Sequence, residues 1–156
     1  MTAPLRVIFL DIDGVLNSQP FVERRASFGW EDLVDPRAVE RLNRLVRSAS
    51  AKIVISSSWR CQMDLDRVVS ILRSHGLEGD VIGATPRGTS RPTEIQRWLD
   101  GAVVAPESMV ILDDLPEMEH LSPYFVQTTW EEGLLEHHVD AALVILAVAR
   151  AGGETV

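Results

Sequence analysis

Asp11 and Asp13 stand two residues apart at the end of an apolar run, Leu5-Arg6-Val7-Ile8-Phe9-Leu10, and Gly14 follows them. A second acidic pair, Asp113 and Asp114, closes another apolar run, Met109-Val110-Ile111-Leu112. Carboxylates at i and i+2 of a strand end point roughly the same way. A third carboxylate from a neighbouring strand would repel them at close range unless a hard cation sat among them. Magnesium suits such a group, because it takes oxygen ligands, often one or two carboxylates completed by water and substrate phosphate. The same ion bridges a phosphate oxygen and screens a carboxylate nucleophile from the anion it must attack. With Asp11, Asp13 and Asp113 around that ion, Asp11 can attack phosphorus and form an aspartyl-phosphate. Asp13 can protonate the leaving oxygen and then deprotonate the water that frees the enzyme. A serine hydroxyl, backbone N–H groups and an arginine would hold the remaining phosphate oxygens.

These residues need elements that bring them together. The run over 5–10 reads as a buried strand ending at an acidic, glycine-bearing turn. Asp35 before Pro36 is an N-cap with proline at the first helical position. Val39, Leu42, Leu45 and Val46 then recur at helical spacing, which predicts a helix over 36–48. Strands are expected over 52–55, 80–84, 109–112 and 124–128, and helices over 64–74, 93–99 and 134–150, with Gly152-Gly153 marking a frayed end. Strands alternating with helices predict an α/β fold: a three-layer, Rossmann-like domain with a central parallel sheet and helices on both faces. Ligands bind such sheets beyond the carboxyl ends of the strands, where strand order reverses. Those ends carry Asp11 and Asp13, Ser56 and Ser57, and Asp113 and Asp114. The irregular stretch 17–35, with Pro20, Gly29, Phe21, Phe28, Trp30 and Arg24-Arg25, is expected to be a flap over the crevice.

Bulk composition narrows the class. The chain has 156 residues, enough for one domain with a sizeable core, and 1–156 is read as a single unit. Its apolar content is 46% and its charged content 24%, values of a globular rather than a disordered chain. The net charge of −8 disfavours non-specific clinging to a polyanion, which requires many phosphates to be neutralised. A local basic groove is still compatible with that charge. Cys61 is the single cysteine, so no internal disulfide forms, and the opening Met1–Arg6 lacks a basic segment followed by a long apolar run. The expectation is a reducing cytoplasm. The apolar stretch 141–149 is too short for a membrane span and is read as a buried helix.

An Asp-x-Asp alone is by default a turn. Here it is followed by Gly14 and lies in order with the Ser56 and Asp113-Asp114 strand ends. Asp11-Ile12-Asp13-Gly14-Val15-Leu16-Asn17 resembles the first motif of the haloacid dehalogenase (HAD) superfamily. The resemblance implies Asp11 as nucleophile and Asp13 as acid/base, with the Asp13 carbonyl also on magnesium. Ile53-Val54-Ile55-Ser56 resembles the second motif, which ends in a phosphate-binding hydroxyl, and Ser57 is a further candidate. Val110-Ile111-Leu112-Asp113-Asp114 resembles the fourth, which supplies the acidic metal ligand. Asp114 is open between the metal, a helix cap and an outer position. The third motif supplies a lysine or arginine ahead of the fourth; Lys52 is misplaced, Arg91 is the first choice and Arg87 the second. Too little chain separates the motifs for a full cap domain, so the resemblance implies an open site.

Ile55-Ser56-Ser57-Ser58-Trp59-Arg60, Arg91-Pro92-Thr93-Glu94-Ile95 and Gly133-Leu134 are similar to a HAD branch of RNA-repair-type proteins. That similarity implies a phosphorylated nucleotide or nucleic-acid end as partner. Trp59 and Arg60 are then candidate substrate contacts, the indole as a platform for a base, although a core position is the commoner use of tryptophan. His120, His137 and His138 are read as surface residues, and Cys61 as a small buried hydrophobe. Two other classes are weighed. A phospho-accepting receiver-like signalling domain would carry a single acceptor aspartate after a later strand and a lysine after the last one; neither is present. A catalytically idle partner-binding domain would have no use for the full set of acids.

Overall fold

The computed structural model describes residues 3–25 and 29–150. Phe28 and the Gly152-Gly153 end lie outside the described residues. Five strands form one sheet: β1 (Arg6–Leu10), β2 (Lys52–Ile55), β3 (Val81–Ala84), β4 (Ser108–Asp113) and β5 (Phe125–Gln127). Their order is β3-β2-β1-β4-β5, and every pairing is parallel. The chain starts in the middle of the sheet, builds β2 and β3 to one side, then returns past β1 to build β4 and β5 on the other. Strand order therefore reverses at β1.

The helices are α1 (Gln19–Glu23), α2 (Pro36–Ala49), α3 (Leu65–Ser74), α4 (Arg91–Gly101) and α5 (Glu136–Leu146). Alternation along β1 sends Ile8 and Leu10 to one face and Val7 and Phe9 to the other. The first face packs on Leu42 and Leu45 of α2, Val68 and Leu72 of α3, and Val139 and Ala142 of α5. The second packs on Ile95 of α4 and on Met118 and Leu121 near a 3₁₀ turn, Glu119–Tyr124. This is the expected three-layer α/β arrangement. No helix among the described residues is long and apolar enough to cross a membrane.

Capping sets the helix starts. The Asp35 carboxylate accepts from Arg37 N–H at 2.9 Å ahead of α2, and the Asp64 carboxylate accepts from Arg67 N–H at 2.8 Å ahead of α3. The hydroxyl of Ser90 accepts from Thr93 N–H at 3.3 Å, so α4 begins at Arg91 rather than at Thr93. The cap thus fixes Arg91 at the first helical position. The last helix is shorter than the expected 134–150, because Gly133 has φ +69 and Leu135 is extended before it. The 17–35 stretch is more regular than expected, holding α1 and a 3₁₀ turn at Trp30–Asp32. His138 corrects the surface reading: it is 7% exposed, and its ring nitrogen Nδ1 accepts from Leu135 N–H at 2.9 Å. Cys61 is half-buried rather than buried.

Candidate active site

The sheet's hydrogen-bond ladder runs one residue beyond the strands and aligns their tips. Asp11 N–H donates to Leu112 C=O at 3.0 Å, Ser56 N–H to Leu10 C=O at 2.8 Å, Thr85 N–H to Ile55 C=O at 2.9 Å, and Thr128 N–H to Asp113 C=O at 2.9 Å. Asp11, Ser56 and Asp113 thus lie side by side at the point of strand reversal, where such sheets take ligands. Asp11 is 5% exposed and Asp113 fully buried. Asp11, Asp113 and Asp114 each present a carboxylate oxygen within 4.8 Å of the other two. Asp113 Oδ1 accepts from Leu115 N–H at 3.1 Å, whereas its Oδ2 is buried with no hydrogen-bond partner.

Burial and then the charge of Asp113 push Asp11 up to about 8. Burial likewise raises Asp113, and burial followed by the charge of Asp113 raises Asp114. These upward shifts report negative charge that the protein alone under-compensates. An oxygen-only donor set, an orphaned buried carboxylate oxygen and clustered like charges together suit a hard divalent cation. The residues present could hold such a metal.

Arg91 provides partial compensation from the first turn of α4. Its Nε lies 3.5 Å from Asp113 Oδ2 and its Nη1 3.8 Å from Asp11 Oδ1. The same Nη1 donates to Ser56 Oγ at 3.4 Å. Arg87, the second choice for the basic position, instead donates to Cys61 C=O at 3.1 Å.

Asp13 is held differently. Its carboxylate accepts from Asn17 Nδ2 at 3.0 Å and from Trp59 Nε1 at 3.2 and 3.3 Å. Asn17 also receives Gly14 N–H at 2.9 Å and donates to Leu33 C=O at 2.8 Å, closing the turn that carries Asp13. Asn17 and Trp59 engage the Asp13 carboxylate. Asp11 and Asp113 of the expected metal set share one carboxylate group, in which Asp114 stands as well, and the Asp13 carboxylate is not part of that group. Gly14 makes this possible: at φ +81 it adopts a left-handed conformation, and a β-carbon there would fall on the Asp114 carboxylate.

The two expected substrate contacts have buried side chains. Trp59 is 1% exposed, packs edge-on against Trp30 at 5.0 Å and spends its N–H on Asp13, so neither ring face is free for a base. Arg60 turns inward, donating to Thr85 C=O at 2.8 Å and pairing with Glu94 at 2.8 Å. Ser57 caps the 3₁₀ turn Ser58–Cys61 by accepting from Trp59 N–H at 3.1 Å, which engages its hydroxyl in local structure.

The sequence reading missed the brace behind this site. Thr128 Oγ1 donates to Gly14 C=O at 2.6 Å, Leu134 N–H to Val15 C=O at 2.9 Å, and Gln19 N–H to Trp130 C=O at 2.7 Å. A β-carbon on Gly133 would meet the Asn17 carbonyl at 2.8 Å. The loop after β5 thus grips the loop after β1. Its only sequence signals were a polar Thr128 at a strand end and an isolated Gly133. Beside Asp13 and Asp114 this grip leaves an open pocket of about 410 Å³.

A family model for the HAD domain in Swiss Army Knife RNA repair proteins matches residues 7–139. No curated protein matches the chain.

Proposed function

The chain belongs to the HAD domain family of Swiss Army Knife RNA repair proteins, and on that premise we propose that it is a magnesium-dependent phosphomonoesterase working through an aspartyl-phosphate on Asp11. Family membership supports a phosphatase-type hydrolase. The observation that carries the finer reading is the division of labour among the acids. Asp11, Asp113 and Asp114 form one close group, and hydrogen bonds hold the Asp13 carboxylate separately beside it.

Asp11, Asp113 and Asp114 would hold the ion, with the Asp13 carbonyl as the further ligand that the family resemblance implies. When bound, the cation offsets the carboxylate charges and draws electron density from the phosphoryl group. Asp11 is the nucleophile, and its oxygen forms the bond to phosphorus as the ester bond breaks. Ser56 and Arg91 bind the phosphoryl oxygens, and their 3.4 Å contact with each other suits a shared ligand. Asp13 gives its proton to the departing oxygen, then takes one from the water that attacks the aspartyl-phosphate. Trp59 and Asn17 orient it for both transfers.

Nucleotide or polynucleotide phosphates are the candidate substrates, in keeping with the RNA-repair setting named for the family. A separate acid/base next to the nucleophile speaks for turnover rather than for a stored phosphate. The single Cys61 agrees with a cytoplasmic setting.

The test is release of inorganic phosphate from nucleotides, 3′- and 5′-phosphorylated oligonucleotides and sugar phosphates, with magnesium and with excess chelator. Release should stop with chelator and fall below detection in Asp11→Asn, while that variant keeps its circular dichroism. Comparable release by Asp11→Asn, or by the chelated enzyme, overturns the mechanism.

A further inference from the structure

The open pocket of about 410 Å³ beside Asp13 is lined by Asp13, Asn17, Val22, Leu33, Asp114 and Trp130. Two features decide what can enter. Among the described residues no lysine or arginine stands on its wall, so a second phosphate would enter with no cationic side chain to meet it. Among the described residues the rest of the wall is Asn17 with the apolar Val22, Leu33 and Trp130, and Trp130 supplies an aromatic face. Val22 comes from α1 and Trp130 from the loop after β5, and the Gln19 N–H to Trp130 C=O bond of 2.7 Å ties the two together. Asn17 has its amide committed to Gly14, Asp13 and Leu33, so it does not recruit a strongly polar ligand.

We propose that this pocket receives the leaving-group body of the substrate, and that this body is an uncharged nucleoside, with a planar base and no second phosphate there. The assignment rests on the phosphatase reading in one respect only: Asp13 is taken as the group that protonates the leaving oxygen. A body attached to that oxygen must extend from Asp13, and the pocket opens from it. Trp130 stacks on the base, the role for which Trp59 is too deeply buried. Val22 and Leu33 cover the sugar and the base edge. A polynucleotide continuing into this pocket would bring its next phosphate to a wall with no cationic side chain among the described residues, so a free nucleoside monophosphate is the substrate that fits.

The test separates the pocket from the chemistry. Calorimetric binding of adenosine and ribose is measured on the wild type, Trp130→Ala and Trp130→Phe, and binding of adenosine monophosphate and adenosine 3′,5′-bisphosphate on Asp11→Asn, which does not turn them over, with magnesium present. Adenosine should bind and ribose should not. Trp130→Ala should weaken adenosine roughly tenfold and Trp130→Phe should restore it, as loss and return of one stacking face require. The bisphosphate should bind more weakly than adenosine monophosphate. Equal adenosine affinity in the wild type and Trp130→Ala, or a bisphosphate preferred to the monophosphate, overturns the assignment. Acetyl phosphate hydrolysis is followed in parallel. Trp130-dependent adenosine binding without phosphate release sinks the phosphatase reading and leaves the pocket standing. Phosphate release with adenosine binding indifferent to Trp130 does the reverse.

Discussion

The two ends of the sheet are built to opposite rules. At the amino ends, polar groups are matched. Arg6 Nη1 donates to Ala49 C=O at 3.0 Å, buried Ser108 Oγ to Leu146 C=O at 2.9 Å, and Glu107 N–H to Leu5 C=O at 2.8 Å. Arg150 closes the end by donating to Glu107 C=O and Pro106 C=O. A cavity of about 170 Å³ lies there beside Arg6 and Leu146, and no acidic side chain among the described residues lines it. At the carboxyl ends the rule inverts. The two buried side-chain oxygens without a hydrogen-bond partner among the described residues, Thr85 Oγ1 and Asp113 Oδ2, both lie there, and Asp113 belongs to a group of three mutually close carboxylates. One end is arranged for stability. The other accepts unmatched charge that a ligand can use.

Removing the unmatched charge should have the largest effect. Asp11 holds its proton more tightly in the fold than in the open chain, so its stabilising contribution is full below the unfolded value of 3.8. It is lost as pH climbs through about 8. Metal-free protein should therefore melt at progressively lower temperature as pH rises across that window. Asp11→Asn should flatten the slope and melt higher at pH 8, although it abolishes turnover. A wild-type melting temperature that rises with pH over this range, in chelator, would contradict the electrostatic account. Next comes Gly14→Ala, whose methyl falls on the Asp114 carboxylate at positive φ. It should cost about 1–3 kcal/mol in chemical denaturation and weaken magnesium binding at least tenfold. Magnesium affinity equal to the wild type would mean that Asp114 does not serve the ion.

A smaller, more selective effect is expected at Trp59. In Trp59→Phe the ring persists but Asp13 loses its N–H donor. Alkyl phosphates, which need a proton on the leaving oxygen, should lose roughly tenfold more kcat than 4-nitrophenyl phosphate, which scarcely does. Equal losses would point to packing alone. Ser108→Ala at the matched end should have the smallest effect, lowering stability by about 1 kcal/mol through one buried hydrogen bond. Phosphate release should be unaffected, since the residue lies at the far end of β4 from Asp113.

Much of the scaffold was legible because local rules and tertiary demands agree. Asp35 before Pro36 announced α2, and the apolar runs over 5–10 and 109–112 announced the two central strands. Asp11, Asp13 and Asp113 stood out because acids at the ends of apolar runs are costly without a use. Arg91 was chosen over Arg87 from its place before a helix, and the Ser90 cap brings it against Asp11 and Asp113. The misread residues share a different cause. Trp59 and Arg60 carry chemistry suited to a base or a phosphate, and residue type alone does not tell which way a side chain turns. Burial and the neighbouring partners Asp13, Thr85 and Glu94 decide that.

The sequence by itself determined the order of strands and helices, the acids at the strand tips and the glycine that must follow them. These are properties of residues near one another in the chain, where periodicity, capping and backbone freedom operate. Only the tertiary structure decided which carboxylates meet, that Asp114 joins them while the Asp13 carboxylate is held apart, and that the loop after β5 braces the loop after β1. Those outcomes depend on distances between segments far apart in sequence, fixed by the parallel register of β1 with β4 and by the space that Gly14 leaves open.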